Sequence, residues 1–140
     1  MSTKPTQIYT FIAADLTALL TGKVDRVWQW GDMSESAADG TWVGIEIAPR
    51  ERLQPNYSYY KSRINLHCGS YITDDKNRDS VNAILEVCDD YIRTLVAGSI
   101  GCDGVVEVPG TDNMDGTWHG RTVSFEAFYT DNGTALVTTA

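Results

Sequence analysis

The chain has 140 residues, 42% of them apolar and 21% charged, with a mean hydropathy of −0.25. That is enough for one hydrophobic core, too apolar for a disordered chain, and without the run of about twenty apolar residues that a membrane span needs. Nineteen acidic against eleven basic side chains leave a net charge of −8, which argues against sequence-independent nucleic-acid binding, where Lys and Arg displace counterions from phosphate.

The first apolar stripe is Ile8, Phe11, Ile12, Leu16, Leu19 and Leu20, one face of a helix that Pro5 and Thr6 start and Gly22 ends. The stretch carries a single basic residue, Lys4, and is interrupted by Asp15, so it reads as neither signal peptide nor membrane span, and the protein is expected to begin in a cytoplasm. Residues 24–30 alternate as a short strand with Trp28 and Trp30 on one side, and 31–40 form an acidic loop. Residues 41–48 alternate again, Val43, Ile45 and Ile47 against a wetter face with Trp42, Gly44 and Glu46. A turn region between Pro49 and Pro55 leads to the longest strand, 57–68, with Tyr60, Ile64, Leu66 and Cys68 opposed to Tyr57, Tyr59, Lys61, Arg63, Asn65 and His67.

Thr73 is placed as the cap of a second helix, whose stripe Val81, Ile84, Leu85, Cys88, Ile92, Leu95 and Val96 runs to Gly98. A short strand at 105–108, a Gly- and Asp-rich loop at 109–120 and a closing strand at 121–130 follow, the last with Val123, Phe125, Ala127 and Tyr129 on one face. An α+β domain over residues 1–130 is expected, a largely antiparallel sheet of about five strands with both helices on one face, and residues 131–140 as a tail or arm. The other sheet face would carry Trp42, Tyr57, Tyr59 and Phe128, more aromatic area than a monomer usually exposes, so a partner subunit is expected to cover it.

The chemical motifs are weak. Asn113, Asp115 and Gly116 match positions 3, 5 and 6 of a calcium loop, but Thr111 and Thr122 stand where a carboxylate ligand is needed first and last. His67 and Cys68 point to opposite strand faces, and His119 has no second ligand at metal spacing, so no metal site is expected. Cys68, Cys88 and Cys102, without a CxxC pair, read as reduced thiols, two of them in the core. The glycines at 98, 101 and 104 follow a helix where phosphate-binding loops follow a strand, and Glu86, Asp89 and Asp90 read as a solvated helix face. No cofactor and no enzymatic activity are expected. The indoles Trp28, Trp30, Trp42 and Trp118 are better interface anchors than ligand walls.

One short helix, a few strands, the strand YYKSRINLHCGSY, the helix TDDKNRDSVNAILEVCDDYIRTLV and the closing strand RTVSFEAFYT together resemble the tail terminator (tail completion) and minor tail proteins of long-tailed bacteriophages, over roughly residues 6–130. The resemblance implies a structural virion protein of the tail or neck, assembled in the bacterial cytoplasm. Its subunits would form a homohexameric ring that caps the tail tube, contacting the tail tube protein and the head–tail connector, with no membrane partner. DNA would pass without specific binding, and the acidic loops with Asp32, Glu35, Asp39, Asp112 and Asp115 would face the lumen or the tube. Subunit contacts would fall on Trp28, Trp30, Trp42, Tyr57 and Tyr59, so that Trp42→Ala or Tyr59→Ala weakens assembly while helical content stays intact. A tail of about ten residues departs from a minimal terminator. The alternatives are another neck or head-completion component, or a small ligand-binding or enzymatic domain whose aromatic pocket takes His67 and Arg63 as its polar groups.

Overall fold

The computed structural model describes residues 3–30, 40–53, 59–70, 75–112 and 119–130. Helix α1, Lys4–Leu19, starts where the Thr3 hydroxyl accepts the Thr6 N–H at 3.3 Å and Pro5 occupies the first turn, where a missing N–H costs nothing. Ile8, Ile12, Leu16 and Leu20, each four residues apart, are fully buried, while Phe11 and Leu19 stay about half exposed on its flank. The strands are β1, Arg26–Gln29; β2, Thr41–Ile47; β3, Glu51–Arg52; β4, Tyr59–Ser70; β5, Gly104–Asp112; and β6, His119–Thr130. Helix α2, Asp75–Thr94, lies between β4 and β5.

These strands form one six-stranded, mostly antiparallel sheet of order β1-β2-β4-β6-β5, with β1 parallel to β2. Strand β3 pairs with β4 at Tyr60 and Lys61, on the edge of β4 that β2 leaves free after Ile64. The fold is the expected α+β class, with one strand more. The stretch after Pro49 reads as a turn in sequence because a strand of two residues carries no periodicity.

Both helices lie on one side. They cover Val43 and Ile45 of β2, Tyr60, Ile64, Leu66 and Cys68 of β4, and Phe125, Ala127 and Tyr129 of β6, which with the helix stripes make one core. Three buried hydroxyls are satisfied inside it: Ser62 and Tyr129 share a 2.8 Å hydrogen bond, and Tyr91 of α2 donates to Asp15 of α1 at 2.7 Å. Burial and the Asp15 carboxylate both push the Tyr91 hydroxyl pKa upward. All three cysteines are free and buried, so the expected pair of core thiols is three. Contact with Cys88 and burial raise the Cys68 thiol, and burial pushes Cys102 up to about 11.

Two boundaries differ from the expectation. Helix α2 stops at Thr94; Val96 is extended and 70% exposed, and a 3₁₀ turn, Ala97–Ile100, follows, closed by Gly101 at φ 75°. Burial of Ile100 wins over the continuing stripe, because the turn brings that side chain against α1. Strand β5 reaches Asp112, so part of the expected 109–120 loop is ladder, interrupted by a register shift between Val108 and Thr111. Among the described residues no helix is long and apolar enough to cross a membrane.

Candidate functional site

Strand alternation sends every second residue of β2, β4 and β6 away from the helices. On that open face the register sets Glu46 opposite Asn65, Gly44 opposite His67, Asn65 opposite Ser124 and His67 opposite Thr122. Cross-strand neighbours on one face stand about 5 Å apart at Cβ, within reach of side-chain hydrogen bonds.

Those bonds form a connected array. His67 contacts Thr122 Oγ1 through Nδ1 at 2.7 Å and Glu46 Oε1 through Nε2 at 2.9 Å. Asn65 Nδ2 donates to the same Glu46 oxygen at 2.9 Å, while Asn65 Oδ1 accepts from Ser124 Oγ at 2.7 Å and from Arg63 Nε at 3.1 Å. Arg63 also donates to the Pro109 carbonyl of β5 at 2.7 Å, tying in the sheet's edge. An ionised Glu46 only accepts, so His67 carries its proton on Nε2, and Nδ1 accepts from the Thr122 hydroxyl; this tautomer is assigned from the network.

Burial lowers the His67 pKa below its ordinary 6.5, and the Glu46 carboxylate offsets only part of that. Burial alone would raise Glu46, but hydrogen bonds from His67 and Asn65 outweigh it and hold the carboxyl below its ordinary value. At neutral pH the pair is therefore a neutral imidazole donating to a carboxylate.

Tryptophans flank this array. The Trp30 ring lies 3.9 Å from the imidazole of His67, centroid to centroid, and Trp28 and Trp30 stand 6.3 and 5.8 Å from Trp42. Gly44, between Trp28 and His67 in the register, has no side chain to separate the indoles of β1 from the ring on β4. Arg26 sits 5.6 Å over Trp28. The Trp28 indole N–H is buried and finds no acceptor among the described residues. Lower on the face, Lys61 bridges Glu126 at 3.3 Å and Glu51 at 3.8 Å.

The interface residues expected from the sequence separate on this face. Trp28, Trp30 and Tyr59 are half-buried on it. Trp42 is a correction: it is 0% exposed, sealed beneath the other two indoles, so it supports the patch and cannot itself meet a partner. Tyr57, Asp32, Glu35, Asp39, Asp115 and Trp118 lie outside the described residues, and Asp112 ends β5. His67 and Arg63 are joined through Asn65, whereas nothing in the sequence marks Glu46, Asn65, Thr122 and Ser124 as partners, since only the strand register brings them together.

Asn113, Asp115 and Gly116 of the calcium-like segment lie outside the described residues. Thr111 and Thr122, the ends of the calcium-like segment, are cross-strand partners in a ladder. Asp89 and Asp90 both pair with Arg93 on the surface of α2. A cavity of about 420 Å³ lies between α2 and the bulge of β5, lined by Asp89, Ile92, Glu107, Arg121 and Val123 among others. No protein-family model matches the chain, and a search of curated proteins finds no match.

Proposed function

We propose that this chain is a structural subunit of a phage tail terminator, forming a homohexameric ring through the open face of its sheet, capping the tail tube and joining it to the head connector. The observation that carries the reading is that face. No described element covers it, it is fixed side chain by side chain, and it presents two half-buried indoles. Preorganised side chains lose little entropy on association, and Trp and Tyr are among the residue types enriched as interface anchors.

Charge supports the same surface. The open face sets Arg26, Lys61 and Arg63 against Glu46, Glu51 and Glu126, a balance of zero in a chain of net −8. Copies of an acidic protein approach with least repulsion where their own charges cancel. The acidic remainder suits a lumen through which DNA passes without being held.

The ligand-binding alternative has one observation in its favour, the hydroxyl–imidazole–carboxylate chain of Thr122, His67 and Glu46. Against it, Thr122 is 7% exposed and Trp30 lies against the imidazole. Co-expression with a tail tube protein of a long-tailed phage tests the proposal. Tubes of uniform length carrying a ring of this chain at one end are expected; uncapped tubes beside unassembled chain would overturn it.

A further inference from the structure

A ring built head to tail joins two different surfaces of one subunit, so the open face of each copy needs a second, dissimilar surface on the next. The open face lies on one side of the sheet and the two helices form the other. Those helices differ in what they turn outward. From Asp79 to its end α2 carries Asp79, Glu86, Asp89 and Asp90 against Arg93, an acidic ridge that repels the three glutamates of another copy's open face.

Helix α1 is the opposite case. Between Pro5 and Gly22 the sole charged residue is Asp15, and its carboxylate accepts the Tyr91 hydroxyl. With Ile8, Ile12 and Leu16 turned inward, the outward side shows Phe11, Ala14 and Ala18, at i, i+3 and i+7, all exposed. The threonines beside this line spend their hydroxyls on the helix: Thr10 Oγ1 donates to Thr6 O and Thr21 Oγ1 to Thr17 O, both at 2.9 Å. Neither hydroxyl proton has to be taken from water when the face is covered, so the face costs little to desolvate. A helix that faces water normally carries charges opposite its buried stripe, as α2 does and α1 does not.

We infer that the open face of each subunit docks on the outward side of α1 in a second copy, Phe11 and the Ala14–Ala18 line meeting the Trp28 and Trp30 indoles. The inference rests on the ring reading and deepens it by naming the surface that the open face meets. Charge selects between the helices: a face whose own charges cancel is buried at least cost against a surface that brings no charge to desolvate. Alanine at 14 and 18 leaves room beside Phe11 for an indole to lie against the helix.

The test uses full-length chains: wild type, Ala14→Glu and Ala18→Glu on α1, and Trp28→Ala on the open face, each checked for unchanged helical content by circular dichroism. Glutamate is a good helix former at an exposed site, so the fold is kept while a contact there would bury an unpaired charge. Native mass spectrometry is expected to show a hexamer for wild type and its loss in all three variants, with at least about tenfold more protein needed for any assembly. Mixing Ala14→Glu with Trp28→Ala should give a one-to-one pair and nothing larger, since one intact open face then meets one intact α1. Hydroxyl-radical labelling of Phe11 should be slower in the wild-type oligomer than in either variant alone. A hexamer that survives both glutamates while Trp28→Ala dissolves it would overturn the α1 contact and leave the ring reading standing. A wild-type chain that is monomeric at every concentration would overturn both.

Discussion

His67 is the residue whose environment has the most measurable consequence. Its folded pKa lies below its ordinary 6.5, so the native state resists the proton that the unfolded chain accepts. The stability it contributes is complete above about pH 6.5 and is lost as pH falls below that value until the folded pKa is passed. Glu46 acts in the same direction at lower pH, its contribution being present above its ordinary 4.5 and lost as pH falls through its depressed folded value. Chemical denaturation at pH 8, 6 and 5 should therefore show wild type losing stability with acid, and His67→Gln losing less between pH 8 and 6; parallel losses would place the titrating group elsewhere. Thr122→Val removes the donor to Nδ1 and should cost about 1–2 kcal/mol, read from the same denaturation curves. His67 and Arg63 are legible as polar groups of one strand face from alternation alone. Their partners are not, because Glu46 and Thr122 lie 21 and 55 residues from His67 in sequence and meet it only through the register.

Among the elements, those with long periodic stripes are legible in the sequence and those held by tertiary contact are not. Ile8, Ile12 and Leu16 announce α1, and Val81, Ile84 and Cys88 announce α2. The end of α2 is hidden because Leu95 and Val96 continue its stripe in sequence, while the chain turns to bury Ile100. The length of β5 is hidden because Pro109 and Gly110 read as loop, yet the ladder resumes at Thr111 after the bulge. Gly110 makes that possible: a Cβ there would overlap the Thr122 carbonyl oxygen, whereas a Cβ at Gly98 meets nothing within 4 Å. Gly110→Ala should accordingly destabilise the protein by roughly 1–3 kcal/mol while Gly98→Ala stays within about 0.5 kcal/mol of wild type, both measured by thermal or denaturant unfolding. Equal effects would mean that the bulge tolerates a side chain. In α1, Leu16→Ala should cost about 2–5 kcal/mol, and Leu19→Ala, half exposed one position from the last buried leucine, under about 1 kcal/mol.

For the molecule as a whole, the two-layer arrangement leaves one sheet face without a covering layer among the described residues, and the proposed ring depends on what that face does. Its aromatic character is visible in the alternation of 24–30 and 41–48; the depth of its members is not, since only the packing of Trp28 and Trp30 over Trp42 hides the third indole. This changes which substitution is informative. Trp42→Ala would open a cavity in a fully buried site and cost about 3–5 kcal/mol, confounding assembly with folding. Trp28→Ala and Tyr59→Ala act on half-buried side chains of the open face instead. The most direct measurement is native mass spectrometry of wild type and Trp28→Ala over a range of protein concentrations, with circular dichroism to confirm that both are folded. A closed hexamer is expected for wild type and its dissociation in Trp28→Ala; a wild-type chain that stays monomeric throughout, or a Trp28→Ala hexamer as stable as wild type, would contradict the claim that the open face joins the subunits.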